Sequence, residues 1–511
     1  MYICAEYLFI KMKQLLVIIA LLLSVFSFAQ KTTSIRLIYA DNLKPAQYNG
    51  NKVMKLTGKV QFKHKNTKLI SDTAFLYEED NSLDAFGHVY INDNDSIHIY
   101  GDSLHYDGNS RIAELHGNVI LKDRKMTLTT NHMIYNMETK IARYYDGGRI
   151  VNDDNVLESI FGYYYSRAQE LFFQKSVVLT NPQYVMRSDT LKYLVASKVS
   201  FFYGPTWIVS DENSIYCENG WYNTESDISH YKQNATLYSK SQSLTGDSLY
   251  YDRINGFGQG FQNVKLVDTA KNVILKGNYI EYYEHGGSSL ITDSTMAIMV
   301  SDEGDSLFLH SDTLIVNFDS SQNAKEMLGF HHTKFFRDDL QGKCDSLVYL
   351  FKDSVIQMFF QPVLWANKSQ LSGKFIHISI KNGGIDRMYI DTNAFALSLD
   401  SLDNYNQVSG RDMIVHFRKN SVYKTDVIGN SQTVYFVRNE AKKLVGVNLS
   451  TSSDLRVIMD STGIKDIIYL HKPDASLNPK EKLSRRALFL KGFQNQEALR
   501  PKTKLEIFNW E

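Results

Sequence analysis

The chain is short of the residues that interrupt strands and staple small domains. It holds 7 prolines and 3 cysteines in 511 residues. Proline donates no backbone hydrogen bond, so its scarcity leaves long ladders uninterrupted. Beyond the first thirty residues only Cys217 and Cys344 remain. One bridge is open to them, but no disulfide framework and no cysteine-based metal centre. Net charge is missing as well, because 56 Lys and Arg balance 56 Asp and Glu. Nucleic-acid binding rests largely on neutralising phosphates, and a chain without a basic field is not expected to do it. After the N-terminal region no apolar run reaches the roughly 20 residues of a bilayer-spanning helix.

What the chain has in plenty is aromatic residues, with 32 Tyr and 28 Phe. Aromatic and β-branched side chains suit pleated, half-buried surfaces, and an all-β fold is expected. The first residues stand apart. Lys11 and Lys13 precede an apolar run from Leu15 to Phe28, which ends at Ser27-Phe28-Ala29-Gln30. A basic stretch, a short apolar stretch and small residues before a cut describe a secretory signal peptide over residues 1–29. Met12 is a more natural start than Met1, since Glu6 fits no basic leader. No cysteine lies at the cut, which argues against a lipid-modified N-terminus. The mature chain is therefore expected to be exported and soluble beyond the inner membrane.

The remainder is organised by two interleaved motifs. One reads Gly-Asp-Ser-Leu-His-Tyr at 101–106 and returns as Gly-Asp-Ser-Leu-Tyr-Tyr at 246–251; Ser-Asp-Thr-Leu-Lys-Tyr at 188–193 and Cys-Asp-Ser-Leu-Val-Tyr at 344–349 are variants. The other reads Gly58-Lys59-Val60-Gln61-Phe62, Gly87-His88-Val89-Tyr90-Ile91 and Gly117-Asn118-Val119-Ile120-Leu121. These glycines step by 29 and 30 residues, while Asp72, Asp102 and Asn131 step by 30 and 29. Two registers marching together mark a repeat architecture. Positions two and four after each Asp or Asn are apolar, and the residue between them varies. Period two with one constrained face describes a half-buried strand. Glycine without a Cβ can take turn or bulge geometry at the strand entrance, and the Asp or Asn beside it can hold the corner. About a dozen periods of two strands each, stacked with apolar faces inward, make an elongated open β-jelly roll or solenoid. The repeat domain spans 30–440. After Asn439 the pattern fades into an extension over 441–511, partly helical or disordered, with a short helix expected over Glu481 to Phe493.

These paired registers resemble the OstA-like repeats of lipopolysaccharide-transport proteins, best over 36–145 and in diluted form to about 440. The resemblance implies an open jelly roll whose two sheets enclose an apolar groove for the acyl chains of lipid A. It also implies a periplasmic place, possible association with the outer membrane, and partner transport proteins joined by edge-strand pairing. The inward positions that would line such a groove are Val60, Phe62, Val89, Ile91, Leu104, Tyr106, Val119, Leu121, Met133, Tyr135, Leu191, Tyr193, Leu249 and Tyr251. On the residues alone the same stripe can simply pack one sheet on the other. The chain has more repeats than a short bridging protein and lacks the long run of membrane-barrel strands of an outer-membrane pore.

Catalytic readings are weaker. Asp72, Asp102, Asp189, Asp247, Asp312 and Asp345 recur at one place in the repeat, whereas a catalytic pair is singular. His331 and His332, read as neighbours on a strand, point to opposite faces and cannot share a metal. Gly256-Phe257-Gly258-Gln259-Gly260 precedes a strand and not a helix, so it is no phosphate loop. The chain is expected to need no cofactor or metal and to be no enzyme. The alternative to transport is a surface-exposed β-solenoid adhesin or polysaccharide-binding protein, with Trp207 and Trp221 as sugar-stacking candidates.

Overall fold

The computed structural model describes residues 33–510 apart from 125, 212, 301–305, 322, 367, 382–383, 402, 419–420 and 461–462. The signal peptide read at residues 1–29 lies outside the described residues. Among those described there are forty strands, four short 3-10 turns and no α-helix. Among the described residues no helix is long and apolar enough to cross a membrane. The fold is all-β and jelly-roll-like, built of successive antiparallel hairpins. It divides into two compact units, the first ending at Pro182 with Thr190–Ala196 added, the second holding Gln183–Asp189 and Ser197–Glu511.

In unit one the strands Asn51–His64, Thr67–Tyr77, Ser82–Asp93, Ile97–Asp107, Ile112–Asp123 and Met126–Asn136 pair in succession. Each is about twice as long as the motifs in the sequence suggested. Glycine and aspartate do not stand at strand entrances; they sit in mid-strand, where the pairing register slips between Thr57 and Val60, Phe86 and Val89, and His116 and Val119. Gly87 (φ 75°) and His88 (φ 42°) are both left-handed there, as are Gly58 with Lys59 and Gly117 with Asn118. Such a bulge bends the strand and strengthens its twist. The half-strand before or after the bend then belongs to a different sheet. One, here the tyrosine sheet, contains Leu104, Tyr106, Met133 and Tyr135; the other, the valine sheet, contains Val60, Phe62, Val89 and Ile91. Alternation persists within each half and only its phase is reset, which is why the sequence showed two strands where the chain makes one.

The recurring aspartates hold these bends. Asp72 Oδ2 lies 2.7 Å from His88 Nδ1, and Asn118 Nδ2 donates to Asp102 Oδ2 at 2.8 Å. The hairpin turns close at the far ends. Asn136 Oδ1, directly after Tyr135, accepts from the N–H groups of Glu138 and Thr139 at 2.9 Å each, a side-chain turn that fixes where the strand stops.

Unit two begins in the same way, with Val199–Val209, Asn213–Asn223, Ile228–Ser239, Gln242–Asp252, Phe257–Asp268 and Val273–Tyr283 paired in order. Asn263 Nδ2 donates to Asp247 Oδ2 at 3.0 Å, repeating the bend contact. Past Tyr283 the two halves part into short hairpins that alternate between sheets: Met296–Val300 with Ser306–His310 in the valine sheet, Thr313–Phe318 with Ala324–Phe330 in the tyrosine sheet. The corners keep their left-handed pairs at Asp293-Ser294, His331-His332, Phe360-Gln361 and Thr392-Asn393. His331 and His332 are thus corner residues and not strand neighbours. His332 Nδ1 meets Asp312 Oδ2 at 2.8 Å and His331 Nδ1 meets Asp345 Oδ1 at 3.3 Å, so each serves a separate aspartate.

Strands also continue where the motif fades. Ser421–Arg438 and Leu444–Asp460 again cross both sheets, bent at Gly429-Asn430, and Gly463–Leu470 and Asp474–Asn478 finish the two ladders. Glu481 to Phe493 holds only two 3-10 turns, Lys480–Lys482 and Arg485–Leu488. No helix forms because Leu483, Leu488 and Leu490 instead pack on Val434, Phe436 and Val447. The rest runs as a strap over the valine sheet, fastened by buried glutamines. Gln407 Nε2 donates to Leu488 O at 2.8 Å while its Oε1 accepts from Leu490 N at 2.9 Å. Gln370 repeats the clasp with Gln494 O and Gln496 N, at 2.8 Å each. Each side-chain amide thereby serves two strap backbone groups, as a neighbouring strand would.

Candidate apolar groove

Twelve of the inward residues read from the sequence fall in unit one: Val60, Phe62, Val89, Ile91, Leu104, Tyr106, Val119, Leu121, Met133, Tyr135, Leu191 and Tyr193. All are buried, none more than 3% exposed. They belong to a closed interior there. Across the tyrosine sheet Leu83, Tyr106, Ala113, Tyr135, Ala142, Tyr164 and Leu171 are successive cross-strand partners, and this row faces a row of Phe62, Ile91 and Leu121 in the valine sheet.

The margin away from the bends is sealed by polar latches between the sheets. In three of the valine half-strands the last residue reaches a tyrosine about forty residues on. The Tyr106 hydroxyl lies 2.6 Å from His64 Nδ1, Tyr135 donates to Asp93 Oδ2 at 2.7 Å, and Tyr164 donates to Asp123 Oδ2 at 2.6 Å. Asp93 and Asp123 are 1% and 4% exposed. A carboxylate so placed is costly unless its lone pairs are used. Thr67 and the Lys140 ammonium also serve Asp93, and Ser166 serves Asp123. Burial, with the neighbouring carboxylates adding to it, holds the phenols of Tyr135 and Tyr164 well above the ordinary tyrosine range, so they stay donors. Burial also lowers the basicity of His64.

Between Tyr222 and Tyr282 unit two has the tyrosines without such latches among the described residues, and a bond between the sheets returns only further on, where the Tyr469 hydroxyl donates to Asn448 Oδ1 at 3.0 Å. Tyr222 donates to Asp227 at 2.5 Å and Tyr251 to Glu284 at 2.6 Å, both partners standing in turns of the tyrosine sheet itself. Tyr222, Tyr251 and Tyr282 are only half-buried. In their row the intervening places go to Ser229 and Gly258, where unit one has alanine or leucine. A Cβ built on Gly258 meets nothing nearer than Tyr251 Cδ2 at 3.4 Å. Opposite, Ile215, Leu237, Leu244 and Leu266 are consecutive cross-strand partners and all half-buried. Leu249 is buried deeper, near the bend. The result is a strip of apolar wall open to solvent.

Further along unit two a cavity of about 920 Å³ is lined by Leu399, Val408, Met413, Val415, Val457 and Ile467, with Lys368 and Arg418 also on its wall. That is within the ~300–1,000 Å³ typical of ligand pockets. Both cysteines of this unit are free and buried, and burial raises their thiols above the ordinary range, which makes them inert. Trp207 is 42% exposed, tilted against Tyr216 and stacked on Tyr238, whereas Trp221 is half-buried and edge-on to His230.

The open strip was missed in the sequence. Its signal was the glycine-rich stretch at 256–260, where Gly258 and Gly260 fall on inward positions that carry Ala113 and Leu115 in unit one. Compared with known protein families, residues 32–189, 185–247 and 210–295 match the model described as OstA-like protein. Together these cover 32–295, more than half of the 511 residues. No curated protein matches the chain.

Proposed function

This chain belongs to the OstA-like family, and on that premise we propose that it is a non-enzymatic periplasmic carrier of lipopolysaccharide toward the outer membrane. The observation that carries this reading is the unlatched stretch of unit two, where Leu237, Leu244 and Leu266 form one continuous half-buried row. Acyl chains laid along it gain about 25 cal/mol per Å² of apolar surface removed from water. The attraction has no direction, so a chain can slide between nearly equivalent places along the row. Lys368 and Arg418 beside the 920 Å³ cavity supply cationic partners for the phosphates of an acylated saccharide.

Partners are proposed at the N-terminal edge. Arg36–Tyr39 and Asn42–Tyr48 each pair only with Asn51–His64 among the described residues, and Leu37, Ile38, Tyr39 and Leu43 are exposed there. An open edge with apolar side chains suits addition of a strand from another transport protein. The test of the groove is photocrosslinking in cells. A photoreactive residue at Leu244 or Leu266 is expected to trap lipopolysaccharide, and one at Leu104 or Val119 in the sealed interior is not. Absence of lipid adducts from every position in the row would sink the proposal.

A further inference from the structure

On the solvent side of unit one's tyrosine sheet, away from any groove, three metal-ligating side chains converge. His116 and His132 are direct cross-strand partners, their rings stacked with centroids 4.1 Å apart. Glu114 precedes His116 by two residues and so shares its face. Glu114 Oε1 lies 2.9 Å from His132 Nε2 and 3.6 Å from His116 Nε2. The three ligand atoms all fall within 4.8 Å of one another. We propose that Glu114, His116 and His132 form a binding site for a divalent transition-metal ion of the zinc class.

The argument is one of donor type, spacing and support. Two imidazole nitrogens and one carboxylate oxygen are the set taken by Zn²⁺ and its neighbours, whereas Ca²⁺ and Mg²⁺ require oxygen throughout. Ligands at about 2.0–2.1 Å around a tetrahedral ion stand roughly 3.3 Å apart. The 2.9 and 3.6 Å separations bracket that value, so only small side-chain adjustments are needed. The backbone beneath is rigid, since the intervening inward residues Ala113, Leu115, Met133 and Tyr135 are all 0% exposed. His105, the cross-strand partner of Glu114 on its other side, is engaged by Asp84 at 2.7 Å, which leaves Glu114 to the two histidines. The Tyr145 hydroxyl, 3.0 Å from the same His132 Nε2, gives up that nitrogen when an ion takes its lone pair. His116 is half-exposed, so a fourth position faces water. The cluster was invisible in the sequence because sixteen residues separate the histidines and only the hairpin register unites them; the expectation of no metal ligands is revised on this geometry.

The test is a Zn²⁺ titration of the whole folded chain, stripped with a chelator, against a chromophoric indicator, with Co²⁺ absorption reporting coordination. One tight Zn²⁺ per chain is expected, with a tetrahedral Co²⁺ spectrum and no displacement by Ca²⁺ or Mg²⁺. His116→Ala, at a half-exposed side chain that leaves the fold intact, should weaken binding at least about tenfold, and His132→Ala at least as much. Unchanged affinity and spectrum in both variants would overturn the proposal, as would failure of the wild type to take up Zn²⁺ at about 0.1 mM.

Discussion

At the scale of single residues the fold depends on contacts that look minor in a list of side chains. Gly117 has φ 75° and sits against the Asp102 carboxylate, so a methyl group there is both strained and crowded. Gly117→Ala is expected to cost about 1–3 kcal/mol in chemical denaturation, whereas the same change at Gly50, which has open space around it, should cost less. Tyr135→Phe removes one latch bond to a buried carboxylate and should cost about 1.5–3 kcal/mol. His64 carries a pH dependence. Its folded form is less basic than the unfolded one because burial disfavours the charge. The folded state therefore binds fewer protons, and the stability His64 contributes is complete above about pH 6.5 and declines as pH falls below it. An unfolding midpoint followed from about pH 7.5 to 5 should fall more steeply in the wild type than in His64→Asn.

At the scale of the element, strand existence and inward faces were readable and strand length was not. Leu104 and Tyr106 announced one half-strand and Val89 and Ile91 another, because each half keeps its own period of two. Nothing in a period reveals that Phe86 and Val89 lie on one continuous strand, since joining the halves depends on two left-handed residues whose identities vary from Gly-His to Gln-Asn to Phe-Gln. The strap was hidden for another reason: its partners Gln370 and Gln407 are distant in sequence, and buried glutamines have no periodic signature. Gln370→Ala should therefore release the strap locally, read as faster amide exchange at Gln496, with the strands themselves unaffected. The groove makes a complementary prediction. Leu171 in unit one occupies the inward row where unit two has Gly258, and Gly258→Leu should fill the open strip. Photocrosslinking of lipopolysaccharide from Leu244 should drop in that variant while its thermal stability holds or rises.

At the scale of the molecule the two units share one strand grammar and differ in what closes their interiors. Unit one uses Asp93, Asp123 and His64 to seal a buried core; in unit two Tyr222 and Tyr251 turn to their own sheet and leave apolar rows half-exposed. The family and the fold were legible because repeats advertise themselves. The location of the open strip was not, since Tyr135 and Tyr251 are the same residue type in the same motif and only their partners differ. The ladders bind each strand to others close in the chain, while the strap's bonds span up to 175 residues, from Lys334 to Asn509. Contacts between near neighbours close small loops and form quickly; distant ones wait on a larger loss of chain entropy. Refolding should then divide in time. Strand signal should return first, and Trp510, which rests on His332 beneath the Lys334 and Lys343 ammonium groups, should recover its native fluorescence afterwards, so the strap acts as a clock that marks the ladder beneath it as finished.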